Sequence, residues 1–282
     1  MIIGISGKIE SGKDTVAKII QCLTSKDKPE QIVNIITNNW FSKTQIEYDW
    51  KIKKFAGKLK QMVSLLTGIS VEDLEKQEVK DRVLGEEWTR YGYADGHTRD
   101  ENNRPIMTVK FCDKERYEIE LRINWQTAYR KEMTVRELLQ KLGTEALRDV
   151  IHQNVHVNAL FADYKKIGNY EHPEWWIKEY PDKNPIEEIY PNWIISDLRF
   201  PNEAEAIRSR NGINIRIERP RIVSSDIPLS KETLSSINKL VEHPSETALD
   251  DYKGFKYKII NDGTIEQLVV KVKQILLSEG IV

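Results

Sequence analysis

The chain has 282 residues, 39% apolar and 31% charged, and its 43 Lys and Arg nearly cancel its 44 Asp and Glu, leaving a net charge of −1. Such a balance provides no long-range field for a polyanion, so no nucleic-acid partner is expected. The two cysteines, Cys22 and Cys112, sit in no paired motif, which excludes a disulfide framework or a cysteine zinc site and suits a reducing compartment. No apolar run reaches the roughly 18 residues of a membrane span, and Met1–Ser6 leads into a Gly-rich loop rather than a signal peptide. A cytoplasmic protein with no membrane partner is expected.

Taken in chain order, residues 1–6 form a compact apolar run that predicts a buried strand ending at Gly7. Val16, Ile19, Ile20 and Leu23 then recur at helical spacing. Ser25–Lys28 reads as a turn, and residues 30–48 carry no decisive pattern, with Ile32–Ile36 fitting either a strand or a helical turn. Lys51–Phe55 predicts a second strand, followed by a helix through Leu59, Met62, Val63 and Leu66 that stops at Gly68. A charged helix is expected from Val71 to about Leu84.

Residues 85–130 break this rhythm. Two strand-like runs, Met107–Phe111 and Tyr117–Ile123, flank the turn Asp113-Lys114 and predict an inserted hairpin within a single domain spanning residues 1–282. Thr134-Val135-Arg136-Glu137 has the spacing of a capping box, opening a helix that buries Val135, Leu138, Leu139, Leu142 and Ala146. After a polar, aromatic stretch (170–191), Trp193–Ser196 predicts a strand and Pro201 a helix start. Ile213–Ile217 and Lys256–Ile260 predict two more strands. Thr264 and Gln267 cap a closing helix striped by Ile265, Leu268, Val269, Val272 and Leu276. Strands separated by helices imply an α/β fold, a parallel sheet flanked by helices with its ligands at the carboxyl ends of the strands.

Two clusters lie on that edge, and a third lies late in a helix. Gly7-x-x-x-x-Gly12-Lys13, between a strand and a helix, has the form of a phosphate-binding loop of the P-loop NTPase type. Its glycines, with Lys8, Glu10 and Ser11 between them, let consecutive N–H groups face phosphate oxygens, and Lys13 would reach the β- and γ-phosphates of ATP. The residue after the lysine is Asp14, followed by Thr15, where a hydroxyl usually binds Mg²⁺. Either Asp14 or Thr15 could serve the metal, and Asp14 could instead cap the helix. Asp197-Leu198-Arg199-Phe200-Pro201-Asn202-Glu203 places an acid for the Mg²⁺ shell at a strand end, with Arg199 able to clamp a phosphate and Glu203 able to hold an arginine. The alternative reading is a helix cap with a surface ion pair. Late in a helix, Gly143–Asp149 offers Arg148 for an acceptor phosphate, and Lys58 and Lys60 are basic near the second strand. His152 and His156, four apart, read as structural rather than metal-binding.

Together, Gly12-Lys13-Asp14-Thr15, Phe55-Ala56-Gly57-Lys58-Leu59-Lys60, Arg136–Gln140 through Gly143-Thr144-Glu145 to Arg148–His152, and Ser196–Glu203 resemble the bacteriophage-type deoxynucleoside monophosphate kinases. So do Ser245–Leu249 and Asn261-Asp262-Gly263-Thr264. The resemblance implies an adenylate-kinase-like P-loop fold, ATP and Mg²⁺ as cofactors, dNMP acceptors, a homodimer, and a role in the host cytoplasm supplying DNA precursors. It implies that Lys58, Arg148, Asp149 and Arg199 bind the acceptor, that Arg219 and Asn261 lie near the ATP, and that a lid spans about 220–245. Rival readings are a kinase for phosphomevalonate or dephospho-coenzyme A, or a non-transferring regulatory ATPase.

Overall fold

The computed structural model describes residues 1–25, 49–99, 105–123, 128–220 and 247–282. They divide into two compact units, Met1–Lys58 with Asn154–Val282, and Leu59–Gln153. The first unit opens with β1 (Ile2–Gly7), α1 (Lys13–Leu23) and β2 (Trp50–Lys53), and the boundary falls inside α2 (Gly57–Thr67). The second unit continues through α3 (Gln77–Lys80), β3 (Arg90–Arg99), β4 (Pro105–Cys112), α4 (Lys114–Ile123), β5 (Ala128–Lys131) and α5 (Val135–Gln140), which runs on as a π-helical stretch, Lys141–Ile151. The first unit resumes with α6 (Val155–Phe161), β6 (Gly168–Glu171), α7 (Glu174–Glu179), β7 (Ile186–Ile189) and β8 (Asn192–Leu198). It closes with α8 (Pro201–Arg208), β9 (Ile213–Glu218), β10 (Tyr257–Ile260) and α9 (Ile265–Ser278).

The first unit is built on a five-stranded parallel sheet in the order β10–β9–β1–β8–β2. The central strand β1 pairs Ile3 with Ile194 on one side and with Ile213 on the other. Its residues alternate between two cores. Ile3 and Ile5 pack with Ile20 of α1 and Leu268 of α9, while Ile2 packs with Phe161 of α6 and Ile207 of α8. A strand covered on both faces needs apolar residues at consecutive positions, which explains the unbroken run at the start of the chain. Because all five strands run the same way, the loop after β1 and the residues following β2, β8, β9 and β10 share one edge.

Local signals set the helix ends. Gly68, at φ +72, ends α2 in a backbone conformation that favours glycine. Pro201 is the first residue of α8. Thr264 and Gln267 exchange side-chain-to-backbone bonds at the start of α9, as their spacing predicts. In the second unit, β3 lies between β4 and β5 in an antiparallel sheet. A separate core there gathers Leu59, Val63, Ile69, Leu74, Val135 and Leu138. Among the described residues no helix is long and apolar enough to cross a membrane.

Several expectations need correction. Tyr117–Ile123 is not a strand but the greater part of α4. Asp113 accepts the Arg116 N–H at 2.7 Å and starts a helix, and the alternating Ile119 and Leu121 are exposed, so that alternation encodes no buried face. The charged helix over 71–84 is a short 3₁₀ turn, Asp73–Glu75, then α3, with Lys76 extended between them. The capping box at Thr134 is half formed: Thr134 accepts the Glu137 N–H, but Glu137 pairs with Lys131. Ala146 is exposed rather than buried. Beyond Lys141 the i→i+5 winding moves the apolar stripe along, and Leu147 packs where Ala146 was expected. The stretch 170–191 holds the hairpin β6–β7 around α7. Ile32–Ile36, nearly all of the expected lid, and Ser245-Glu246 lie outside the described residues.

Candidate active site

The loop after β1 is shaped by two glycines that admit no side chain. A Cβ on Gly7 would lie 2.4 Å from the Ser11 Oγ and 2.6 Å from the Ile217 carbonyl. Gly12 sits at φ +97, where a Cβ would also meet the Asn261 amide at 2.6 Å. Ser11 N–H donates to the Lys8 carbonyl at 3.1 Å, and the Val16 N–H closes the first turn of α1 onto the Gly12 carbonyl at 2.9 Å. The loop therefore leads into a helix N-terminus, where backbone N–H groups and the helix dipole favour an anion. Lys13 Nζ donates to the Lys8 carbonyl at 2.7 Å, so the ammonium lies over the loop. Ser11 Oγ is buried and has no hydrogen-bond partner among the described residues. A close-wound glycine loop, an ammonium above it and an unsatisfied hydroxyl fit a polyphosphate.

Asp14 projects from the first turn of α1 with 66% of its side chain exposed. Its Oδ1 accepts the Ser196 hydroxyl at 2.9 Å and lies 3.4 Å from Lys54 Nζ. Partial desolvation pushes this carboxyl up, but the Lys54 charge, the Ser196 hydroxyl and the Lys13 charge outweigh it and hold Asp14 below the usual carboxylate range. An ionised carboxylate beside hydroxyl oxygens is a donor set suited to Mg²⁺, which binds through one or two carboxylates and keeps several waters. Thr15, half-buried, occupies the next position on α1.

Asp197 and Glu203 are both committed to backbone. Asp197 Oδ1 accepts the Phe55 N–H at 2.8 Å, and Oδ2 accepts the Ala56 N–H at 3.0 Å, which ties the residues after β2 to the end of β8. Glu203, 4% exposed, receives the Arg199 N–H at 2.7 Å and the Phe200 N–H at 3.0 Å on Oε2. It thus fixes the backbone that carries Arg199. Asn261 Nδ2 donates to the Ser11 carbonyl at 2.9 Å while its own N–H bonds Glu218, bracing the loop from β10. Lys58 pairs with Asp163 at 2.8 Å, and Arg219 is exposed just after β9.

The structure thus brings Gly7, Lys8, Glu10, Ser11, Gly12, Lys13, Asp14, Thr15, Asp197, Arg199, Glu203 and Asn261 to one sheet edge. Arg148 (half-buried) and Asp149 (exposed) belong to the π-helical stretch of the second unit. Lys60 is there too, paired with Glu75. Sequence reasoning missed three contributors: Lys54, Asp250 and Arg216. Asp250 accepts Lys8 Nζ at 2.9 Å and Arg216 Nη2 at 2.8 Å, and Arg216 Nη1 donates to the Ser6 hydroxyl at 3.0 Å. The expected strands already placed Lys54 at a strand end and Arg216 inside a strand. Asp250 gave no local signal.

A parallel α/β sheet with a glycine loop between β1 and α1 defines a P-loop kinase type of fold. Known sequences agree: over 261 residues, 88% of this chain and 85% of the relative, it is 23% identical to a protein of Escherichia phage T5 named deoxynucleoside-5′-monophosphate kinase. Over 139 residues it is 32% identical to a protein of Acanthamoeba polyphaga mimivirus with the provisional name deoxynucleotide monophosphate kinase. That match covers 49% of this chain and 59% of the mimivirus protein. An uncharacterised protein of Ictalurid herpesvirus 1 is 31% identical over 104 residues, 36% of this chain and 40% of that protein. No protein-family profile matches the chain.

Proposed function

We propose that the chain is an ATP-dependent kinase that transfers the γ-phosphoryl group to a deoxynucleoside monophosphate, giving ADP and a dNDP. The observation that carries this reading is the Gly7–Lys13 cradle, with Lys13 over the loop and ionised Asp14 at the start of α1. Similarity to the phage T5 protein along most of the chain supports a dNMP as the acceptor.

Phosphoryl transfer passes through a loose transition state, so the residues act by positioning and charge neutralisation. An acceptor phosphate oxygen is already a competent nucleophile at neutral pH, and no general base is required. Lys13 and the loop N–H groups, with Lys8, Glu10 and Ser11 shaping the loop, hold the donor phosphates. Asp14, or Thr15 beside it, would hold Mg²⁺, which would supply charge neutralisation at the phosphate oxygens. Asp197 acts on the metal shell only through oxygens already engaged with Phe55 and Ala56, so we assign it mainly to holding the turn that carries Lys54 and Lys58. Arg199 takes phosphate, with Glu203 fixing its backbone. Lys58, Arg148 and Asp149 are assigned to the acceptor, and Arg219 and Asn261 to the ATP side, by resemblance.

The test is an ADP-release assay at fixed ATP with dNMPs, NMPs, phosphomevalonate and dephospho-coenzyme A as acceptors. Turnover with dNMPs above all others supports the reading. Turnover only with a different acceptor, or ATP hydrolysis indifferent to any of them, overturns it.

A further inference from the structure

We propose that Lys54 is a catalytic cation: it balances Asp14 in the free protein, and its ammonium meets the transferring phosphate when that carboxylate turns to a divalent cation. The inference rests on the kinase reading above.

The backbone supporting Lys54 is fixed on both sides. It directly follows β2, and its carbonyl accepts the Gly57 N–H at 3.0 Å. The next two N–H groups, of Phe55 and Ala56, are held by the two oxygens of Asp197. Its side chain is 26% exposed, unlike that of a solvated surface lysine, and Nζ lies 3.4 Å from Asp14 Oδ1. Asp14 therefore feels two ammonium groups, Lys54 from the end of β2 and Lys13 from its own helix, together with the Ser196 hydroxyl from β8.

The Lys54–Asp14 pair is open on the Asp14 side and, at 3.4 Å, longer than the usual charge-assisted hydrogen bond. An ionised carboxylate open to solvent is a ligand for a hard divalent cation. The Lys54 ammonium is carried on a fixed turn at the phosphate edge. A transferring phosphoryl group spreads charge over three oxygens, and a second cation beside Lys13 suits that charge.

The test uses Lys54→Met, which keeps the stem and removes the charge, with Lys54→Arg as the conservative variant. Three quantities are read: Mn²⁺ affinity without nucleotide, affinity for a fluorescent ATP analogue, and kcat with a dNMP. For Lys54→Met we expect Mn²⁺ to bind about threefold tighter, since a competing counter-ion is gone. The kcat should fall about 100-fold with ATP-analogue affinity little changed, as for loss of one group that stabilises transition-state charge. Lys54→Arg should recover a tenth or more of the lost rate and show the wild-type Mn²⁺ affinity. An unchanged Mn²⁺ affinity in Lys54→Met, or a kcat within tenfold of wild type, overturns the proposal. If Lys54→Met does not melt cooperatively, Lys54→Gln is read against the same limits. A wild-type protein that transfers phosphate to no acceptor overturns the kinase reading, and with it the catalytic role. The Mn²⁺ comparison then decides separately whether Lys54 is the counter-ion of Asp14.

Discussion

On the binding edge of the five-stranded sheet, Asp197 and Glu203 each accept two backbone N–H groups, whereas in the second unit Glu86 accepts from three side chains, Tyr91, Lys114 and Arg130. The first arrangement fixes main chain. Two buried or half-buried amides lose their partner if the carboxylate goes, and the residues they carry, Phe55-Ala56 and Arg199-Phe200, lose their place. The second arrangement ties down long side chains in solvent, where such pairs contribute little. The contrast shows how a sheet edge can be preorganised: carboxylates act as clips for the turns, and the turns present lysine and arginine.

The comparison can be broken first at the loop itself. Lys13→Ala removes the ammonium over the phosphate cradle and should lower kcat at least about 100-fold with an unchanged melting temperature. A turnover within threefold of wild type would remove the loop from the mechanism. Next come the clips. Asp197→Ala and Glu203→Ala should each cost about 1–3 kcal/mol in urea unfolding, because each leaves two N–H groups unpaired. Asp197→Asn and Glu203→Gln keep an acceptor oxygen and should cost less. If the alanine variants are as stable as the wild type, these carboxylates are not clips.

Gly12→Ala tests the cradle more gently. The positive φ costs a non-glycine residue about 1–2 kcal/mol, and the new Cβ meets the Asn261 amide. Weakened ATP-analogue binding is expected, and equal binding would show that the loop tolerates a different path.

The smallest effect belongs to the second unit. The Glu86 carboxyl, held by the Tyr91 hydroxyl, then Lys114 and Arg130, is lowered to about 2. A carboxyl depressed in the fold adds stability above its unfolded value of about 4.3 and loses it as pH falls towards 2. Glu86→Gln should therefore lower the melting temperature slightly at pH 7, and the difference should vanish near pH 2. ATP-analogue binding should not change. A Glu86 variant that impairs ATP binding would contradict the contrast between the units.

Much of this was legible in the sequence because the signals were local. The run at Ile2–Ile5, the stripe of α1, Pro201 at the start of α8 and the Thr264–Gln267 cap each depend on neighbours along the chain. The misreadings arose where a local pattern competed with another. Tyr117–Ile123 alternates like a strand, but Asp113 caps a helix of good helix formers. Glu137 left its expected cap for Lys131. In the site, the glycine loop and Lys13 followed from spacing. The commitment of Asp197 to Phe55 and Ala56 spans more than 140 residues, and the bridge from Asp250 to Lys8 spans 242. Such pairings are set by the sheet order, so no sequence spacing announces them.

The central claim is phosphoryl transfer to a deoxynucleoside monophosphate, and the most direct measurement is the fate of label from γ-labelled ATP. With wild-type protein, Mg²⁺ and a dNMP, the account predicts label in the dNDP, at a rate that Lys13→Ala abolishes. Label released only as inorganic phosphate, or transfer to the dNMP that survives Lys13→Ala, would contradict it.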